Sequence, residues 1–115
     1  MAGKKVLLVD ADEEMAKIRA DLLANYGFDV TYCSIKDAEA KAARSKYDRI
    51  FLTMRNCDSL ERYILEQARR QQPEAKIIVY STVYGFQIAK DQMKLTDAIP
   101  LEMVMKNAEI ANALM

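Results

Sequence analysis

A chain of 115 residues suits one domain, and its 51% apolar content argues against disorder. Seventeen basic and 17 acidic residues cancel, so the chain lacks the basic footprint of a nucleic-acid binder. With no histidine and two cysteines, Cys33 and Cys57, zinc sites, histidine-based catalysis and a disulfide framework drop out together.

The amino terminus has no signal-peptide core, and no apolar run approaches the roughly 20 residues that span a bilayer. The expectation is a cytoplasmic protein with reduced thiols and no membrane insertion. Lys5-Val6-Leu7-Leu8-Val9 is a short continuous apolar run, the habit of a strand buried on both faces of a parallel sheet. Asp10-Ala11-Asp12-Glu13-Glu14 follows and suits a helix amino terminus, with Asp12 as its cap. Met15, Ile18, Leu22 and Leu23 recur at helical spacing, and Gly27 closes the helix in a left-handed conformation. Phe28 to Cys33 alternates and reads as a half-buried edge strand.

Ser34-Ile35-Lys36-Asp37 resembles a capping box before an alanine-rich helix that runs to about Ser45. Asp48 to Thr53 is the third strand, with a solid apolar centre. Asp58-Ser59-Leu60-Glu61 is a second capping-box pattern, and Leu60, Tyr63, Ile64 and Ala68 form the inner stripe of the helix it opens. Pro73 lies just past that helix. Lys76 to Ser81 is the fourth strand. Thr82 to Leu95 fits a helix loosely, Asp97-Ala98-Ile99 is a short last strand that Pro100 breaks, and Met103 to Met115 is a terminal helix.

Strands alternating with helices imply a parallel sheet wound by right-handed crossovers, with helices on both faces. The first, third and fourth strands are solidly apolar and therefore central. The second alternates and the fifth is very short, so those two are edges. Residues 1–115 are thus expected to form one α/β domain: a doubly wound five-stranded parallel sheet of order 2-1-3-4-5. In such sheets ligands bind at the carboxyl ends of the strands, where the order reverses. The residues there are Asp10 and Asp12, then Thr53, then Ser81 and Thr82, then Ile99-Pro100. Three scattered glycines make no phosphate loop.

Val6-Leu7-Leu8-Val9-Asp10-Ala11-Asp12-Glu13-Glu14, Tyr47 to Leu52, Ile77 to Ser81 and Ile99-Pro100 together resemble a response-regulator receiver domain of two-component signalling, over nearly the whole chain. The resemblance implies a flavodoxin-like fold. It also implies a magnesium-binding acid pair after strand one and a phosphoacceptor aspartate ending strand three. Further expectations are a Ser or Thr ending strand four, an aromatic switch residue, and a lysine before a proline, often joined to it by a cis bond. Asp10 matches the first acid, but Ala11 stands in the second position and Asp12 lies one residue later. Thr53 replaces the acceptor, Ile99 replaces the lysine, and Thr96 stands at the aromatic position; Ser81 matches.

A carboxylate attacks phosphorus as an anion while metal neutralises the incoming charge. A threonine hydroxyl needs a base, and there is no histidine to serve. Magnesium wants several hard oxygens, so any residual binding at Asp10 is weak and no cofactor is expected. Asp10 more readily serves as a polar group bonded to nearby backbone N–H groups. Asp58, the nearest other acceptor candidate, reads as a helix cap, Cys57 as an inert thiol and Cys33 as a packed one. The late methionines read as core filling.

The implied function is a non-enzymatic pseudo-receiver: an interaction module that binds protein partners, with homodimerisation open. By the resemblance its output face spans roughly Tyr84 to Met105, with Tyr84, Phe86, Lys90, Lys94, Met103 and Lys106 as candidate contacts. Two alternatives stand beside it: a receiver phosphorylated at a non-standard site, and a small-molecule sensor with an apolar pocket near Ile99 and Thr53.

Overall fold

The computed structural model describes residues 4–54, 58–80, 99–101 and 107–115. Its elements in chain order are β1 (Lys5–Val9), α1 (Glu13–Ala24), β2 (Asp29–Cys33), a 3₁₀ turn (Ile35–Asp37), α2 (Ala38–Arg44), β3 (Arg49–Thr53), α3 (Ser59–Gln71), β4 (Lys76–Tyr80), β5 (Ile99–Leu101) and the terminal helix α4 (Asn107–Leu114). The strands pair in parallel in the order β2-β1-β3-β4-β5. The region expected to hold a further helix, 82–95, lies outside the described residues, as do Asp97 and Ala98. No described helix is long and apolar enough to cross a membrane.

Each central strand is buried on both faces, which is why its sequence does not alternate. Leu7, Val9, Ile50, Leu52, Ile77 and Val79 pack against Ala38 and Ala42 of α2 and Ile64, Leu65 and Ala68 of α3. On the opposite face Val6, Leu8, Phe51, Ile78 and Tyr80 meet Ala16 and Leu23 of α1 and Ile110, Ala111 and Leu114 of α4. β2, the edge, is only partly covered: Asp29 and Tyr32 are exposed while Cys33 is buried.

Several local expectations take their observed form through hydrogen bonding. The Asp12 carboxylate accepts from the Glu14 and Met15 N–H groups at 3.1 and 3.2 Å, capping α1. Asp58 caps α3 by accepting from the Glu61 N–H at 2.9 Å. Gly27 has φ +94°, a conformation that side chains with a Cβ rarely adopt. The capping box at Ser34 does not form: its side chain makes no cap bond, and its hydroxyl lies 3.4 Å from an Asp37 carboxylate oxygen instead. The backbone there takes one 3₁₀ turn before α2, which displaces the helix start beyond the box.

Three other expectations are corrected. α1 turns Ala16, Arg19, Ala20 and Leu23 inward, leaving Ile18 53% and Leu22 37% exposed. The small alanines let the helix lie close to the sheet, and Ile18 and Leu22 point away. α3 buries Glu61, Ile64, Leu65 and Ala68, whereas Leu60 and Tyr63 face outward. Pro100 does not break the last strand but lies inside it, opposite Val79. Proline is tolerated there because an edge strand has a side that need not donate to a ladder. Among the described residues no peptide bond is cis, so the cis bond considered at Ile99–Pro100 gains no support.

A buried glutamine ties the amino-terminal end of the sheet together. Gln72 accepts from the Tyr47 N–H at 3.2 Å and donates to the Ala42 and Ser45 carbonyls, both at 2.6 Å. One side chain thus links the end of α3 to the end of α2 and the approach to β3. Arg49 does similar work for α4, donating to the Leu114 and Met115 carbonyl oxygens at 2.9 and 3.0 Å.

Candidate functional site

The strand order reverses between β1 and β3, and the residues ending those strands meet there. Val9 pairs with Leu52, so Asp10 and Thr53 follow on adjacent strands, and Thr53 pairs with Tyr80. Alternation along β3 puts Thr53 on the same face as Phe51, the face covered by α1. Asp10 and Thr53 are both fully buried.

Asp10 is held by backbone and side chain. Its N–H donates to the Cys33 carbonyl at 3.2 Å, and one carboxylate oxygen accepts from the Asp12 N–H at 3.0 Å. The other oxygen faces Arg19, whose Nη1 is 3.7 Å away. Arg19 reaches inward from the buried stripe of α1, and its guanidinium carbon sits 4.6 Å from the Tyr80 ring centroid and 5.8 Å from that of Phe51. The two rings are themselves 5.6 Å apart. The planar cation is therefore stacked on aromatic faces while it meets the carboxylate, a setting that suits arginine and not lysine.

Magnitudes decide what this pair does. At an effective dielectric constant near 20, two unit charges about 4 Å apart attract by roughly 4 kcal/mol. Desolvating each ion costs several kcal/mol, so the pair adds little net stability. Its importance is that neither charge is left buried alone, a condition that costs about 3–5 kcal/mol.

Thr53 contrasts with Asp10: among the described residues its buried hydroxyl has no hydrogen-bond partner. A buried hydroxyl in that state costs about 1–3 kcal/mol. Nothing bonded to it is poised to take its proton.

The other expected site residues divide clearly. Asp12 is exposed and committed to capping α1, so it does not join the pocket. Asp58 is likewise committed to α3. Cys33 is buried, and burial first, then the Asp37 carboxylate, pushes its thiol up to about 11 against a smaller opposing effect of Lys41. Ser81, Cys57, Thr96 and the expected contacts Tyr84, Phe86, Lys90, Lys94, Met103 and Lys106 lie outside the described residues, and the side chains of Ile99 and Pro100 do as well. Arg19 was not among the expected residues. Its signal was position: it stands three residues after Ala16 and four before Leu23, within the stripe that packs on the sheet.

Among the described residues no group of three or more acidic, cysteine or histidine side chains is placed to hold a metal ion. Magnesium requires near-octahedral oxygen ligation. Here Asp10 offers one carboxylate already facing a cation, Ala11 offers no side-chain ligand, and Thr53 a neutral hydroxyl, so these residues do not fit that ion. A cleft of about 330 Å³ opens nearby between the turn after β1, the 3₁₀ turn and the start of α3, lined by Ala11, Glu13, Ile35, Lys36 and Leu60 among others.

No protein-family model matches the sequence, and no curated protein matches it. Solved structures do match. A structure described as adenylate cyclase from Rhodopirellula baltica superposes with a TM-score of 0.83 at 21% identity, over 97% of this chain and 84% of that one. A response regulator from Burkholderia pseudomallei, solved with a phosphorylated aspartic acid, a calcium ion and citrate, gives 0.78 at 21%, over 97% of this chain and 66% of that one. A response regulator receiver protein from Sinorhizobium medicae WSM419 gives 0.78 at 21%, over 97% and 91%. Likeness at this level of identity speaks to architecture, and with the parallel sheet and its flanking helices it shows that the chain has the fold of a receiver domain.

Proposed function

We propose that this chain is a non-enzymatic interaction module of a signalling pathway, a receiver fold that binds protein partners without accepting a phosphoryl group. The observation that carries the reading is Thr53. It occupies the buried end of β3 beside Asp10, and its hydroxyl has no hydrogen-bond partner among the described residues. A phosphoacceptor at this place must be an exposed or metal-contacting anion, and a neutral, sequestered hydroxyl without a base is neither. The Burkholderia response regulator holds a phosphorylated aspartic acid and a calcium ion. This chain offers a hydroxyl and an arginine-paired carboxylate instead. Asp58 is a poor substitute, because an oxygen of its carboxylate already accepts from the Glu61 N–H.

On this reading, signalling proceeds through partner binding, in the cytoplasm, at the region between Tyr84 and Met105 expected from the resemblance. A partner shifts a two-state domain only through its different affinities for the two states. A second copy of the chain is one candidate partner.

The test is intact-mass spectrometry after incubation with acetyl phosphate and magnesium, on protein shown to be folded by circular dichroism. The expected result is no gain of a phosphoryl group. A gain that survives Asp58→Asn and is lost in Thr53→Val would overturn the reading at its central residue. A gain lost in Asp58→Asn would replace it with a receiver that uses a displaced acceptor.

A further inference from the structure

We propose that the free edge of β2 is the docking site for a second copy of this chain, the two β2 strands pairing antiparallel about a dyad at Thr31. This edge lies at the opposite end of the sheet from β5, and its pairing is independent of the phosphoryl chemistry at Thr53.

The hydrogen bonds of β2 fix which of its backbone groups are free. The Asp29 N–H donates to the Lys4 carbonyl at 3.0 Å, and the Cys33 carbonyl accepts from the Asp10 N–H at 3.2 Å. Along a parallel ladder, alternate residues turn both backbone groups to the same neighbour, so Asp29, Thr31 and Cys33 face β1. Val30 and Tyr32 therefore direct their N–H and C=O groups outward, and among the described residues nothing bonds to them there. Natural sheet edges are commonly blunted by lysine, by proline or by a bulge. β2 has none of these: Asp29-Val30-Thr31-Tyr32-Cys33 runs in unbroken register with β1 and carries one charge, at its start.

The strand is also complementary to itself. With Thr31 opposite Thr31 of the second copy, Val30 lies opposite Tyr32, and these are the residues whose backbone groups point outward. Each such pair exchanges two hydrogen bonds, and the dyad repeats the set. Only this register uses both residues of each copy within the strand. Tyr32, 41% exposed in the single chain, then lies beside the half-buried Val30. Aromatic with β-branched and threonine with threonine are favourable cross-strand pairs. Asp29 falls opposite Cys33 and not a second Asp29, and the chain carries no net charge to oppose association of like molecules.

The test combines sedimentation equilibrium from micromolar to millimolar protein with amide hydrogen exchange read by NMR. Wild type should pass from one chain to two over this range. The Val30 and Tyr32 amides should exchange at least about tenfold more slowly in the dimer, whereas the Thr31 amide, bonded to β1, should be protected throughout. Thr31→Lys and Thr31→Glu each set like charges opposite one another at the dyad, about 4.5 Å apart at Cα, and each alone should dimerise at least about tenfold more weakly. An equal mixture of the two should regain the wild-type association, which damage to the fold would not allow. A wild type that stays monomeric to millimolar concentration overturns the proposal and leaves the edge to a strand of another protein. A dimer that ignores both Thr31 variants, or that forms with the Val30 and Tyr32 amides unprotected, overturns it as well, because the contact then lies elsewhere. Should the variants not fold, the exchange of these two amides in wild type decides alone.

Discussion

Replacing Thr53 by valine should stabilise the protein. The side chain is fully buried and its hydroxyl has no partner among the described residues. Valine keeps the β-branched shape that suits a central strand and exchanges only the hydroxyl for a methyl group. Relief of the unsatisfied hydroxyl is worth about 1–3 kcal/mol, and the larger methyl group costs some strain in a packed core. The net expectation is a gain of about 1–2 kcal/mol. For a domain of this size that raises the melting temperature by roughly 4–8 °C. The assay is urea denaturation of wild type and Thr53→Val at pH 7 followed by circular dichroism, with calorimetry for the melting temperature. An unchanged denaturant slope would confirm that the effect is on stability and not on the unfolded ensemble. Destabilisation by about 1 kcal/mol or more would show that the hydroxyl holds a hydrogen bond in solution, and the case for a base-free, idle Thr53 would fail with it.

Two further outcomes are expected. Gln72→Ala strips partners from the Tyr47 N–H and the Ala42 and Ser45 carbonyls, and should cost about 2–4 kcal/mol by chemical denaturation; a loss below about 0.5 kcal/mol would show that water replaces the glutamine. Burial pushes the Cys33 thiol up from its ordinary 9.0 to about 11, so in a Cys57→Ser background its alkylation at pH 8 should run about 100-fold slower than that of the unfolded chain. The same shift has a sign in stability: the folded state holds the proton longer, so this contribution is fully present below pH 9 and is lost as pH rises through 11. Rapid alkylation at pH 8 under native conditions would refute the burial argument.

The pocket joins these observations to function. Among the described residues Asp10 is the one buried carboxylate at the end of β1 and β3, and an arginine from α1 stands beside it. Replacing Thr53 by aspartate would place a second buried carboxylate near Asp10.

Much of the molecule was legible in one dimension. Continuous apolar runs at Val6–Val9, Ile50–Leu52 and Ile77–Val79 marked strands buried on two faces, and the alternation before Cys33 marked an edge, which together imply the central order. Asp12 and Asp58 announced their caps. These properties depend on pattern and local hydrogen bonding, which neighbouring residues settle among themselves. The rotation of the helices did not. α1 carries two stripes, Met15, Ile18 and Leu22 against Ala16, Ala20 and Leu23, and hydrophobicity alone favours the first. The sheet chose the second because small side chains allow close approach. That choice buried Arg19, and so created the pair with Asp10. Gln72 and Pro100 tell the same story, since the partners of a buried amide and the free side of an edge strand exist only once distant segments have come together. Sequence thus determined which central strands form and where α1 and α3 start; only tertiary packing decided which charge sits beside Asp10, because burial of an ion depends on what the rest of the fold places around it.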